Sequence, residues 1–86
     1  MAKVTIRYWA AAKDAAGTSE ELVEADTLAS VLTTVLAGRL ADDRLRQVFA
    51  RSSFLVNALP VRRDAHEETL LEDGATIEVL PPFAGG

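Results

Sequence analysis

The residues best suited to chemistry are the last six, Pro81-Pro82-Phe83-Ala84-Gly85-Gly86. Two prolines hold a chain extended and keep it from joining a sheet. Two glycines at the end let a backbone pass through a channel too narrow for a Cβ. The group such a tail presents is a carboxylate. Chain ends commonly fray, but a frayed segment is normally polar, and this one contains no Ser, Lys, Asp or Glu. We read residues 81–86 as an extended functional tail and Gly86 as its reacting residue.

Other familiar centres are scarce. The 86 residues include no Cys and a single His, which removes thiol nucleophiles, Cys/His dyads, disulfides and zinc–thiolate sites. His66 sits among Arg62, Arg63, Asp64, Glu67 and Glu68, the composition of a solvated loop, and is expected to be exposed and unemployed. Glu67, Glu68, Glu72 and Asp73 match no calcium-loop spacing, so no metal site is expected. Ser52-Ser53 has no base in its sequence neighbourhood, and Gly38 and Gly74 stand alone rather than in a phosphate loop. With 9 Lys+Arg against 13 Asp+Glu the formal net charge is −4, and there is no basic stripe, which argues against nucleic acid as a partner. No window approaches the ~20 apolar residues of a membrane span, and Met1 to Arg7 lacks the apolar core of a signal peptide. The expectation is a soluble cytoplasmic protein with no membrane partner.

The tail needs a scaffold, and the patterning supplies one. Lys3 to Trp9 alternates, with Val4, Ile6 and Tyr8 on one face and Thr5, Arg7 and Trp9 on the other, as in a strand with one buried face. Ala10 to Ala16 forms a turn of helix that Gly17 ends, and Glu20 to Ala25 is a second strand forming a hairpin with the first. Leu28, Val31, Leu32, Val35 and Leu36 make the apolar stripe of the main helix, with Asp26 or Thr27 as N-cap and Gly38 as stop. A shorter helix carries Leu45, Val48 and Phe49 behind Asp42-Asp43. Phe54 to Leu59 reads as a third strand limited by Pro60, residues 62–69 as a loop or short hairpin, residues 70–74 as a turn, and Thr76 to Leu80 as the last strand. One helix across one face of a mixed sheet satisfies every stripe at once. The fold class is therefore α+β, a β-grasp (ubiquitin-like) roll over residues 1–80 followed by the tail at 81–86. The expected core is Val4, Ile6, Leu28, Val31, Leu32, Val35, Phe54, Val56, Ile77 and Val79.

This order of elements, ending in Pro-Pro-Phe-Ala-Gly-Gly, resembles the MoaD/ThiS family of bacterial sulfur carriers, and within it the small subunits of molybdopterin synthase, which typically end Pro-Pro-x-x-Gly-Gly. Phe54-Leu55-Val56-Asn57 is similar to the family's Val-Asn strand, and Leu71-Glu72-Asp73-Gly74 to its turn before the last strand. Ala75 departs from the acidic residue often found after that glycine, and residues 39–51 match no family pattern. The resemblance implies that an adenylating and sulfurating enzyme, using ATP and magnesium, activates the Gly86 carboxylate and converts it to a thiocarboxylate. The tail, threading through Pro81, Pro82, Phe83, Ala84 and Gly85, would then enter the large catalytic subunit of molybdopterin synthase and donate sulfur for the dithiolene of the molybdenum cofactor. On this view the chain is a protein cosubstrate that binds no cofactor itself and is not catalytic alone. Alternatives are a carrier for thiamine or cysteine biosynthesis, a ubiquitin-like modifier joined through Gly86 to lysines, and a docking domain with an idle tail.

Strand parity adds a docking surface. If Val4, Ile6 and Tyr8 point inward, Trp9 points outward, and the same reasoning places Leu55, Leu59 and Leu80 outside. With Phe83 they would form a patch at the root of the tail, unless the loop after Trp9 folds back over the indole.

Overall fold

The computed structural model describes residues 1–39 and 43–82, and its element order follows the expected one. Strand β1 (Lys3–Tyr8) leads through a one-turn helix α1 (Ala11–Ala16) into β2 (Glu20–Glu24). Helices α2 (Leu28–Ala37) and α3 (Arg44–Arg51) follow, then β3 (Ser53–Val56), β4 (Leu59–Pro60) and β5 (Thr76–Leu80). The sheet order is β2-β1-β5-β3-β4, with β1 and β5 parallel and the other neighbours antiparallel. This is the β-grasp architecture.

Local chemistry explains the helix ends. Gly17 closes α1 in the left-handed conformation (φ 79°), its N–H donating to the Lys13 carbonyl. The first amides of α2 would be orphans, but Leu28 N–H donates to the Thr69 carbonyl (3.1 Å) and Ala29 N–H to the His66 carbonyl (3.0 Å). Ser30 N–H donates to the Thr27 hydroxyl at 3.1 Å, confirming Thr27 as the N-cap. The segment from Val61 to Leu71 is thereby tied to the start of α2, and Leu71 N–H donates to the Asp26 carbonyl at 2.8 Å. Within it Arg63–Ala65 forms a turn of 3-10 helix. Of the two cap candidates for α3, Asp43 makes no side-chain cap bond, although its carboxylate pairs with Arg46 at 3.5 Å; Asp42 lies outside the described residues.

The helices pack on one face of the sheet. Val4, Ile6, Tyr8, Val23, Ile77, Val79 and Phe54 point into the core, where Leu28, Val31 and Val35 of α2 and Leu45 and Phe49 of α3 meet them. Residues 44–51 thus have a structural role. Phe49 stacks on Tyr8 (centroids 6.5 Å apart) and meets the edge of Phe54 at 5.7 Å, so α3 joins the core through an aromatic cluster with β1 and β3.

Four expectations are corrected. Leu32 and Val56 are half-buried rather than core. α2 buries the narrower stripe Leu28, Val31 and Val35, and Leu32 lies on its flank, at a cleft of about 460 Å³ shared with Arg63, His66 and Glu67. His66 is not a free surface side chain, since its ring meets the edge of Phe54 at 5.1 Å and its Nε2 is buried without a hydrogen-bond partner. Burial, and secondarily Arg63, hold its pKa below the usual 6.5. Finally, the third strand ends at Val56. Asn57 and Ala58 take positive φ (49° and 69°), the requirement of a two-residue hairpin turn, and the chain reverses so that Leu59 and Pro60 form the edge strand β4.

A polar clamp braces the far end of α2. The Tyr8 hydroxyl donates to a Glu21 carboxylate oxygen, and Arg39 pairs with the other oxygen at 3.0 Å. Arg39 also donates to the carbonyls of Val35 (3.2 Å) and Ala16 (3.1 Å), joining the C-terminal ends of α2 and α1 to β2. Burial and the neighbouring Glu21 push the Tyr8 phenol far above its ordinary range.

Candidate functional site

The site is built around the exit of β5. This strand lies between β1 and β3 and carries two fully buried side chains, Ile77 and Val79. Its last ladder partner is Ser53, opposite Leu80. The next residues, Pro81 and Pro82, make no ladder, as expected of residues without an N–H, and they direct the chain off the sheet. Phe83, Ala84, Gly85 and Gly86 lie outside the described residues.

Around this exit the outer face of the sheet is bare of helices. The Trp9 N–H donates to the Val79 carbonyl at 3.3 Å, and the β1–β5 register (Tyr8 opposite Val79) places Trp9 in one cross-strand row with Leu80 and Ser53. The adjacent row holds Arg7, Glu78, Leu55 and Pro60. Trp9, Leu80 and Leu55 therefore share the outer face beside the root of the tail, as alternation requires. The loop after β1 does not cover the indole, which stays 43% exposed; Leu55 and Leu80 are half-buried.

Leu59 does not belong to this group. The turn at Asn57-Ala58 puts Leu59 opposite Val56, and Val56 is opposite Ile77, so Leu59 occupies the helix-side face at the sheet margin. It is exposed there, on the opposite side from Trp9. Strand counting failed because a hairpin turn interrupts the alternation.

Two features were missed in the residue-by-residue reading. The guanidinium of Arg7 lies 5.1 Å from the centroid of the Trp9 ring, a cation–π contact that orients the indole and adds a positive charge to the tail's root. The i, i+2 spacing of Arg7 and Trp9 on one strand face was the available signal. Asn57 is the second. Its N–H donates to the Thr76 carbonyl (2.8 Å) and its Oδ1 accepts from the Thr76 N–H (3.0 Å), fastening the β3–β4 turn to the start of β5. Asn tolerates the positive φ required there.

Among the described residues, no group of three or more His, Asp or Glu is gathered to hold a metal ion, and no helix is long and apolar enough to cross a membrane.

Comparison with known proteins bears on the tail and the fold together. No curated protein matches the chain. Among solved structures, the chain is similar to small archaeal modifier protein 1 from Methanosarcina acetivorans, with 28% identity, a TM-score of 0.83, and coverage of 100% of this chain and 98% of that one. Subunit 1 or 2 in the complex of the molybdopterin-converting factor from Helicobacter pylori also matches (23% identity, TM-score 0.68, 98% and 99% coverage). So does a thiamine biosynthesis protein from Geobacter metallireducens (16%, TM-score 0.58, 98% and 99%). These last two likenesses establish the fold. The ThiS family model matches residues 6–86, from within β1 to the final glycine. The chain therefore belongs to the ThiS family, the ubiquitin-like sulfur carriers of the ThiS/MoaD type.

Proposed function

We propose that this chain is the sulfur-carrying small subunit of a molybdopterin synthase, with Gly86 as the residue that carries the sulfur. The observation that carries the reading is the delivery of the chain by a buried central strand, β5, into Pro81-Pro82 beside an exposed face bearing Trp9 and Leu80. A rigid strand sets where the tail starts, and the prolines keep it extended for entry into a partner's channel.

The chemistry runs on the terminal carboxylate. An oxygen of the Gly86 carboxylate attacks the α-phosphorus of ATP on an adenylating partner, releasing pyrophosphate and leaving an acyl-adenylate. A sulfur donor attacks the acyl carbon and AMP departs with the C–O bonding pair. With a persulfide as the donor this gives an acyl disulfide; a second thiol then attacks the donor's sulfur, forming a disulfide with it and releasing a thiocarboxylate, whose sulfur is a competent nucleophile toward a pterin precursor held by the large subunit. ATP and magnesium belong to the activating partner, and the partners supply the acid and base groups. Trp9, Leu55 and Leu80, with Phe83, dock the two partners in turn, so the carrier leaves one before it meets the next.

A second reading is a protein modifier, in which a lysine amine attacks activated Gly86 in place of sulfur. It is favoured by the likeness to the archaeal modifier protein. Thiamine or cysteine biosynthesis are alternative destinations for the same carried sulfur. Mass spectrometry of the protein from its native cell separates these readings. Oxygen replaced by sulfur at Gly86 supports the carrier, isopeptide adducts on lysines support the modifier, and an unmodified acid under every condition refutes both. A pterin-binding large subunit that co-purifies supports the molybdopterin pathway. Support of cofactor synthesis by a variant extended beyond Gly86 and left uncleaved would refute the tail chemistry.

A further inference from the structure

The two margins of the sheet are built differently. On one side β4 is only two residues long and includes Pro60, which has no N–H to offer. On the other, β2 is five residues long and contains neither proline nor lysine.

The ladder determines which backbone groups β2 leaves free. Tyr8 N–H donates to the Ser19 carbonyl (2.9 Å) and Ala25 N–H to the Ala2 carbonyl (3.0 Å), so the odd-numbered residues of this strand face β1. Glu20, Leu22 and Glu24 therefore turn their N–H and C=O groups to the open edge. Among the described residues, the Glu20 carbonyl alone of these groups has a partner, the Thr18 hydroxyl at 3.2 Å. The same three residues put their side chains on the outer face. Leu22 is 84% exposed, and neither Glu20 nor Glu24 has an ion-pair partner among the described residues. Behind the edge, Val23, Thr34, Val35, Gly38 and Arg39 line a groove of about 350 Å³ between β2 and α2.

We propose that the β2 edge is a strand-addition site for an extended peptide of a partner protein with the pattern basic–apolar–apolar–apolar–basic. Backbone pairing with Leu22 and Glu24 would supply affinity and side-chain complementarity the selectivity. A residue opposite Leu22 shares its outer face, and residues two positions away on either side come opposite Glu20 and Glu24. Those flanking positions favour Lys or Arg, and the interleaved positions point into the groove. β1 already satisfies the opposite edge of β2 in this manner, setting Lys3 across from Glu24 and Arg7 across from Glu20. A second copy does not fit, because pairing β2 with β2 brings Glu20 and Glu24 against each other. The edge lies two strands from β5, so occupancy leaves the tail free, and failure of the inference leaves the tail chemistry intact.

The test uses the isotope-labelled full chain and two synthetic peptides. One is acetyl-Ala-Lys-Val-Leu-Ile-Arg-Tyr-amide, and the other has Glu in place of its Lys and Arg. The basic peptide is expected to shift the Leu22 and Glu24 amide resonances and slow their hydrogen exchange. The acidic peptide should bind about tenfold more weakly, since two cross-strand pairs change from attraction to repulsion. High salt should erase that preference in the unmutated protein. The double variant Glu20→Lys, Glu24→Lys should reverse it, with unchanged resonances elsewhere showing an intact fold. Equal binding of both peptides at low salt, shifts confined to other strands, no binding, or self-pairing through β2 without peptide would each overturn the proposal.

Discussion

Replacing Arg39 with Met tests whether the polar clamp at the end of α2 contributes to stability. Met keeps most of the apolar stem while removing the guanidinium, so the measured change reports the polar contacts. Arg39 makes three, to Glu21 at 3.0 Å, Ala16 O at 3.1 Å and Val35 O at 3.2 Å, and its side chain is 20% exposed. Hydrogen bonds involving a charged group contribute about 1.5–3 kcal/mol each, but partial exposure and the shared donor make full additivity an overestimate. A loss of about 2–4 kcal/mol is expected for the three together, because among the described residues Glu21 then keeps Tyr8 alone and two helix-end carbonyls lose a donor. At ~2.1 cal/mol/K per residue the unfolding entropy of 86 residues is about 0.18 kcal/mol/K, so Tm should fall by about 10–20 °C. Tyr8→Phe removes one donor from Glu21 and leaves its ion pair, so it should lower Tm by less. Combining the two variants should reveal coupling, since both act on one carboxylate. Thermal unfolding followed by circular dichroism measures all three. If Arg39→Met unfolds within about 2 °C of the unmodified chain, the clamp does not stabilise the fold.

Leu28→Ala, at a fully buried position on α2, should cost about 2–5 kcal/mol in denaturant unfolding, and half-buried Leu32→Ala less; the reverse order would mean that α2 is rotated. Because the folded-state pKa of His66 is below 6.5, its unfolded state binds a proton first as pH falls. This contribution to stability is complete above about pH 6.5 and declines on acidification, so His66→Gln should flatten the stability slope below about pH 6.5. A slope unchanged in the variant would assign the acid sensitivity to other groups. If the proposed pairing with a large subunit holds, Trp9→Ala and Leu80→Asp should weaken it while the circular dichroism spectrum stays native, because both side chains sit at the tail's root and Trp is a frequent interface anchor. Unchanged affinity in both folded variants would confine recognition to the tail.

The strands were legible wherever one face is buried. Val4, Ile6 and Tyr8 alternate with Thr5 and Arg7, and Ile77 and Val79 alternate with Thr76 and Glu78, because a strand repeats every two residues and only one side meets the helices. α2 was legible through its 3.6-residue stripe and Thr27 cap, and the end of the last strand through Pro81 and Pro82, since a proline has no N–H to give a ladder whatever surrounds it. Other features depended on contacts between residues far apart in the chain. Leu59 changed faces because a two-residue turn restarted the alternation, and no periodicity within residues 54–59 encodes where that turn falls. Leu32 lost its core position because the stripe of an isolated helix does not say which flank its neighbours cover. His66 lies in a charged segment, yet its ring meets Phe54 because two of the first amides of α2 bond carbonyls of that segment and draw it onto the core. The row of Trp9, Leu80 and Ser53 arises only when β5 inserts between β1 and β3. Local patterning determined which residues turn inward, while long-range strand pairing decided which outward residues became neighbours.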